Sequence, residues 1–262
     1  MNNLTNIVKQ LFEKGEIDIF IGYEEGTRRP RPFFANSEDA ADKLVFNDKC
    51  TGNLAVYLTR KDLVGGKKVG ISASYYTLRS IQQLFAENQL NEERLIVIGM
   101  NPDGSVVELK TLSEIKQYLS ETEAPAKQED DELLKQLQAM SQVERWEFWT
   151  DELSKCFKCY ACRGACPMCY CTKCIVEVNR PQWVSPWATA QSNMEWQINR
   201  VMHMAGRCSD CGSCGAACPV GIPIHLLTHM MAETVTANFG QQDQDGNVLS
   251  TYKPEDKENF IL

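Results

Sequence analysis

Twelve cysteines occur in this 262-residue chain, and all but Cys50 fall between Cys156 and Cys218. Eight of them form two copies of one pattern: Cys156-x2-Cys159-x2-Cys162-x3-Cys166-Pro167 and Cys208-x2-Cys211-x2-Cys214-x3-Cys218-Pro219. Three thiolates so spaced on a tight loop can reach three corners of one iron–sulfur cube. The Cys-Pro turn directs the fourth sulfur away from its own loop, so each run lends its last cysteine to the other cube. The expected ligand sets are Cys156, Cys159, Cys162 and Cys218 for cluster I, and Cys208, Cys211, Cys214 and Cys166 for cluster II, both [4Fe–4S]. Structural zinc sites pair two Cys-x2-Cys knuckles and rarely continue into a third and fourth cysteine closed by proline. Gly212, Ser213, Gly215, Ala216 and Ala217 are small enough to leave room for a cluster and for backbone N–H groups beside its sulfurs.

Cys169, Cys171 and Cys174 follow at once in CPMCYCTKC. With Cys50 they make four thiols outside the two runs, and the expectation is a third metal site, [4Fe–4S] or zinc, joining two domains. The alternative is spare thiols or a partner-docking loop. Lys155, Lys158 and Arg163 flank the first run, whereas Arg207 is balanced by Asp210 at the second. That charge count predicts the higher potential for cluster I. His225 and His229 lie four apart with no third ligand beside them and read as packing or helix-surface residues. His203, between Met202 and Met204, is expected to be buried near the clusters. No nucleotide-binding glycine loop and no nucleophile elbow occurs.

The elements that must carry these residues fall into two halves. Strands are expected at 17–23, 68–74, 94–100 and 105–110. Helices are expected at 76–89, with Leu78, Ile81, Leu84 and Phe85 as the buried stripe, and at 111–121, with Thr111 or Ser113 as N-cap. This β-α-β order implies a small sheet with at least one parallel pair. Residues 121–132 are rich in carboxylates and read as a solvated linker. An amphipathic helix is expected from Asp131 towards Lys155, with Trp146, Phe148 and Trp149 packing on the cluster half. Further helices are expected at 193–206, with Met194, Ile198, Val201, Met202 and Ala205 inward, and at 223–239. Residues 240–262 read as a polar tail, frayed or strapped onto another subunit. The resulting organisation is an α/β domain at 1–121, an acidic linker and connecting helix at 122–145, a dicluster domain at 146–239 and the tail.

Composition restricts the function further. The chain is 43% apolar with a net charge of −8, which disfavours a nucleic-acid footprint. The longest apolar run, Leu95 to Met100, is far too short to cross a bilayer, and the first residues lack a signal-peptide stretch. A cytoplasmic protein with no membrane insertion is expected, in a compartment where thiols bind metal rather than form disulfides.

With 41 residues between the two runs and helices around both, CSDCGSCGAACPVGIPIHLL resembles the α-helical ferredoxin module of succinate dehydrogenase and heterodisulfide reductase subunits, over roughly residues 146–239. In the first half, IGYEEGT, DKCTGNLAVYL, KKVGISASYYTLRSIQQLFAENQL and RLIVIGM resemble the β-subunit family of deazaflavin-reducing hydrogenases and formate dehydrogenases. Members of that family tend to carry cysteines where this chain reads SASYYTLRS and GMNPDG; Arg79 is retained. The resemblances imply an α+β protein, a small α/β domain followed by a mostly helical two-cluster ferredoxin domain. They imply single-electron relay within an anaerobic redox complex of hydrogenase, formate dehydrogenase or heterodisulfide reductase type. Its other subunits would carry flavin, molybdenum or tungsten, nickel–iron or further iron–sulfur sites. The alternative is a flavin-containing subunit that itself reduces a soluble acceptor.

Overall fold

Strands β1 (Ile19–Glu24), β2 (Arg31–Ala35), β3 (Leu44–Val45), β4 (Val69–Ala73), β5 (Leu95–Met100) and β6 (Val106–Leu109) form one sheet in a computed structural model that describes residues 3–101, 103–125, 128–178 and 180–239. The tail expected at 240–262 lies outside the described residues. The strand order is β2-β1-β4-β5-β6, with β3 paired to β1 beside this path. The interior pairs β1·β4 and β4·β5 are parallel, while β2, β3 and β6 pair antiparallel at the margins.

Alternation along the strands divides the core in two. Ile19, Ile21, Val69, Ile71, Leu95 and Val97 face one side, where α3 (Tyr75–Ala86) lays down Leu78, Ile81 and Leu84. Phe20, Ile98 and Met100 face the other, covered by Leu4, Val8 and Leu11 of α1 (Asn3–Glu13). Gly70 admits the Phe20 ring: a Cβ there would lie 2.5 Å from it. A one-turn helix, α2 (Lys61–Val64), precedes β4. Helix α4 (Leu112–Glu121) starts at Thr111, whose side chain and that of Glu114 form a capping box, so Thr111 rather than Ser113 is the cap. The four expected strands coincide with β1, β4, β5 and β6. The marginal strands β2 and β3 are too short or too exposed to show alternation of their own, whereas α1 carries Leu4, Ile7, Val8, Leu11 and Phe12 at helical spacing and is a further element beyond those expected.

The second half differs from expectation in two places. The single helix expected over 131–155 is two, α5 (Gln128–Ala139) and α6 (Gln142–Ser154). Ser141 ends the first and caps the second, its hydroxyl accepting from Glu144 N at 3.3 Å and its N–H donating to the Glu144 carboxylate at 2.7 Å. The break lets Leu137 and Trp149 fold onto each other and onto Leu226. Of the three aromatic residues expected to pack, Trp149 is buried and Trp146 is 59% exposed. After the one-turn α7 (Ala161–Gly164) comes α8 (Ala190–Met204), capped by Thr189; its inward face is only in part the expected apolar one, with Val201 buried as expected. Ile198 and Met202 face solvent, and Asn193, Trp196, Gln197 and Arg200 are buried. The one-turn α9 (Ser213–Ala216) and α10 (Ile224–Phe239) complete the helical half.

The halves share polar and apolar contacts. Met168 and Met204 lie in the core that contains Leu78 and Ile81. The Ser80 and Ser209 hydroxyls are 2.6 Å apart, and the Glu87 carboxylate accepts from Arg207 at 2.6 and 2.7 Å and from Tyr170 at 2.5 Å.

Candidate metal centre

Both cysteine runs adopt one backbone conformation. Two residues after the first cysteine, Lys158 and Asp210 have φ of 58° and 57°; two residues further, Tyr160 and Gly212 have 57° and 73°. A left-handed non-glycine residue costs about 1–2 kcal/mol, so three of these four positions are held there against their own preference. What the turn gains is a concave loop with N–H groups aimed at sulfur: Lys158 N to Cys156 Sγ and Asp210 N to Cys208 Sγ, each at 3.4 Å. Ile222 N points at Cys218 Sγ, also at 3.4 Å. One-turn helices α7 and α9 then deliver Cys162 and Cys214, both buried.

Two small cavities of about 20 Å³ each gather the eight cysteines in crossed sets. Cys156, Cys159, Cys162 and Cys218 line one. Cys166, Cys208, Cys211 and Cys214 line the other. Gly215 leaves space beside the second loop for His225, whose ring nitrogen would lie 1.9 Å from a Cβ at that position. His229 packs on the Asp210 carboxylate at 3.0 Å, so Asp210 pairs with a histidine and Arg207 with Glu87 instead of with each other.

The electrostatics favour an anionic occupant. Burial pushes the Cys208 thiol up to about 12 and raises those of Cys162 and Cys214. Among them lies Arg200, 2% exposed. Burial works against its charge, but Cys214, Cys166, Cys162 and Cys169 outweigh that penalty and hold the guanidinium above its ordinary value. Its Nη2 donates to the Cys162 carbonyl at 3.3 Å, while Nε and Nη1 are buried with no protein acceptor among the described residues. An isolated buried cation costs several kcal/mol. Thiolates bridged by iron, carrying net negative charge and sulfur acceptors, offset that cost, so the donor set fits [4Fe–4S] clusters.

Helix α8 aims a second layer of polar groups the same way. Asn193 Nδ2 donates to the carbonyls of Leu153 and Cys156 at 3.2 and 2.6 Å, anchoring the start of the first loop. Gln197 Nε2 lies 3.9 Å from Cys162 Sγ. The sequence signal for this face was the spacing of Asn193, Gln197, Arg200 and Met204, hidden by the more conspicuous apolar series on the opposite side.

The charges counted around the first run are mostly paired. Lys155 meets Glu152 at 2.5 Å and Arg163 meets Glu177 at 2.6 Å. Lys158 is buried and donates to the Ser185 carbonyl. Of the other thiols, Cys169, Cys171 and Cys174 line one further cavity together with His203, which is exposed there rather than buried. Cys50 is not among the residues lining it. Cys50 lies with Asn47, and the charges acting on it are those of Glu25 and Asp48.

Residues 152–222 match the 4Fe-4S dicluster domain family, and the chain therefore carries an iron–sulfur module. The chain is also similar to the β subunit of the F420-dependent formate dehydrogenase of Methanocaldococcus jannaschii, with 30% identity over 100 residues, 37% of this chain and 24% of that relative. It is 33% identical over 94 residues to the F420-dependent formate dehydrogenase 1 subunit beta of Methanococcus maripaludis, 36% of this chain and 24% of the relative. The chain thus spans about a quarter of the length of the curated relatives it matches. No helix among the described residues is long and apolar enough to cross a membrane.

Proposed function

We propose that the chain is an electron-transfer subunit, with cluster I on Cys156, Cys159, Cys162 and Cys218 and cluster II on Cys166, Cys208, Cys211 and Cys214. The observation that carries this reading is the crossed gathering of four cysteines from both runs around each of two cavities. When bound, a [4Fe–4S] cluster accepts or releases one electron with little rearrangement. The residues of the chain supply the rest. Backbone N–H groups and Arg200 stabilise negative charge on sulfur, and α6, α8 and α10 exclude water from the inner faces.

Contact with a partner is expected at cluster I. Cys159 is exposed, and Phe157 and Val220 beside it stand 55% and 40% open. The named relatives are β subunits of formate dehydrogenases, which supports a place among the redox subunits of a complex of that kind, with substrate chemistry on another subunit. The organisation into an α/β domain and a dicluster domain is part of the same proposal.

Anaerobic purification followed by an absorption spectrum tests it. Broad absorption near about 400 nm, bleached by dithionite, with about eight iron and eight sulfide per chain as the minimum, is the expected result. A colourless zinc protein would refute it, and a released flavin would favour the alternative in which this chain itself reduces a soluble acceptor.

A further inference from the structure

Outside the two ferredoxin-type sets, the described part of the molecule holds a cavity of about 310 Å³ between the loop at 168–174 and one face of α8. Cys169, Cys171 and Cys174 line it from the loop. His203 lines it from α8, and Arg163, Arg200 and Arg207 line it as well. We infer that this cavity is a third metal site, a [4Fe–4S] cluster ligated by Cys169, Cys171, Cys174 and His203.

Two observations carry the assignment. First, the loop is built to stay in place. Tyr170 donates to Glu87, Arg207 donates to Glu87 and to the Met168 carbonyl at 3.3 Å, and Arg207 stacks on the Tyr170 ring at 5.4 Å. At the far end Arg163 holds Glu177, whose carboxylate also accepts from Cys174 N at 3.4 Å. A docking loop or a set of spare thiols has no need of a clamp at both ends. Second, Arg163 and Arg207 on the wall are neutralised by Glu177 and Glu87, but Arg200 reaches the cavity with buried donors that meet no protein acceptor among the described residues. An anionic occupant with sulfur acceptors meets that demand, as at the neighbouring cluster II cavity, which Arg200 also lines.

His203 is chosen as fourth ligand because it is the imidazole on the cavity wall, whereas Cys50 stands beside Asn47 on another segment. Exchanging a thiolate for a neutral imidazole removes one negative charge and raises the potential of a cluster. The third site would then be the strongest electron acceptor of the three. It opens to solvent at Cys171, which is exposed.

The test uses the full chain purified without oxygen. The inference rests on the dicluster reading only for the baseline count, and wild-type protein with fewer than about eight iron per chain would defeat that reading instead. The expected result is about twelve iron and twelve sulfide, falling to about eight in Cys171→Ser/Cys174→Ser with two clusters still reducible, and unchanged in Cys50→Ser. Pulsed EPR on histidine-labelled protein should show nitrogen coupling at one reduced cluster. His203→Cys should abolish the coupling and keep all the iron. About eight iron without zinc, or one zinc per chain in place of the extra iron, overturns the site. Loss of one cluster in Cys50→Ser, or nitrogen coupling that survives in His203→Cys, overturns the ligand set.

Discussion

Replacing Arg200 by Gln removes one buried positive charge while keeping part of the stem and two of the five N–H donors. The guanidinium reaches the Cys162 carbonyl at 3.3 Å and is acted on most by Cys214 and Cys166, so it lies closer in effect to cluster II than to cluster I. A unit charge about 6 Å from a cluster centre, at an effective dielectric of about 20, contributes about 2.8 kcal/mol to the one-electron reduced state. At about 59 mV per tenfold change for one electron, that is about 120 mV. Burial at 2% exposure leaves little salt screening to reduce it. Potentiometric EPR on Arg200→Gln should therefore show the cluster II midpoint falling by about 100 mV and that of cluster I by less. Arg200→Lys should recover most of the shift. Unchanged midpoints in Arg200→Gln, or an equal fall in Arg200→Lys, would refute the electrostatic argument. The same reasoning revises the order of potentials. Lys155 and Arg163 are paired with carboxylates, which leaves Lys158 at cluster I against Arg200 at cluster II, so the charge count no longer places cluster I higher.

Lys158→Met should lower the cluster I midpoint and leave that of cluster II in place, because this buried ammonium acts on Cys156; a shift confined to cluster II would count against Cys156 as a ligand of cluster I. Iron chelation should expose residues 146–239 to proteolysis, since structural metal sites contribute about 10–16 kcal/mol in small domains, while the sheet stays resistant; a protected C-terminal fragment would contradict this. Burial works against the Glu87 carboxylate, but Arg207, Tyr170 and Gln83 outweigh it and hold its pKa below the usual range. Its contribution is thus complete above the unfolded value near about 4.3 and is lost as pH falls through the folded one. Glu87→Gln should flatten the acid limb of a thermal-stability profile there, and an unchanged limb would show that the clamp does not join the halves.

The cysteine runs were legible because their chemistry is written in spacing, and the interior strands because Val69–Ala73 and Leu95–Met100 are short apolar runs between turn signals. Apart from the apolar stripe of α1, what the pattern hides is polar. The inward face of α8 mixes Asn193, Gln197 and Arg200, which no hydrophobic period marks, with Trp196, Val201 and Met204; Ile198 and Met202 offered a better stripe and face solvent. A helix that lines a charged cofactor inverts the usual pattern, since its inner side must donate hydrogen bonds rather than bury carbon. The split between α5 and α6 was missed for a different reason. Apolar periodicity runs on across Ser141, and only the pairing of Ser141 with Glu144 marks a new start. Ion pairing was equally hidden: Arg207 has Asp210 close in sequence but takes Glu87, more than a hundred residues away.

The shared left-handed turns of the two cysteine loops separate shape from tuning. Lys158 and Asp210 occupy the same backbone position with opposite charge, and Tyr160 and Gly212 occupy the next with opposite bulk. Once that curve is fixed by chain geometry and thiolate capture, the side chains that project from it are released from any duty to build it. Each loop can therefore drift in charge, and each cluster in potential, without its twin having to follow. Two stops of unequal affinity can thus descend from one repeated turn, giving a preferred direction to a relay whose frame is nearly symmetric.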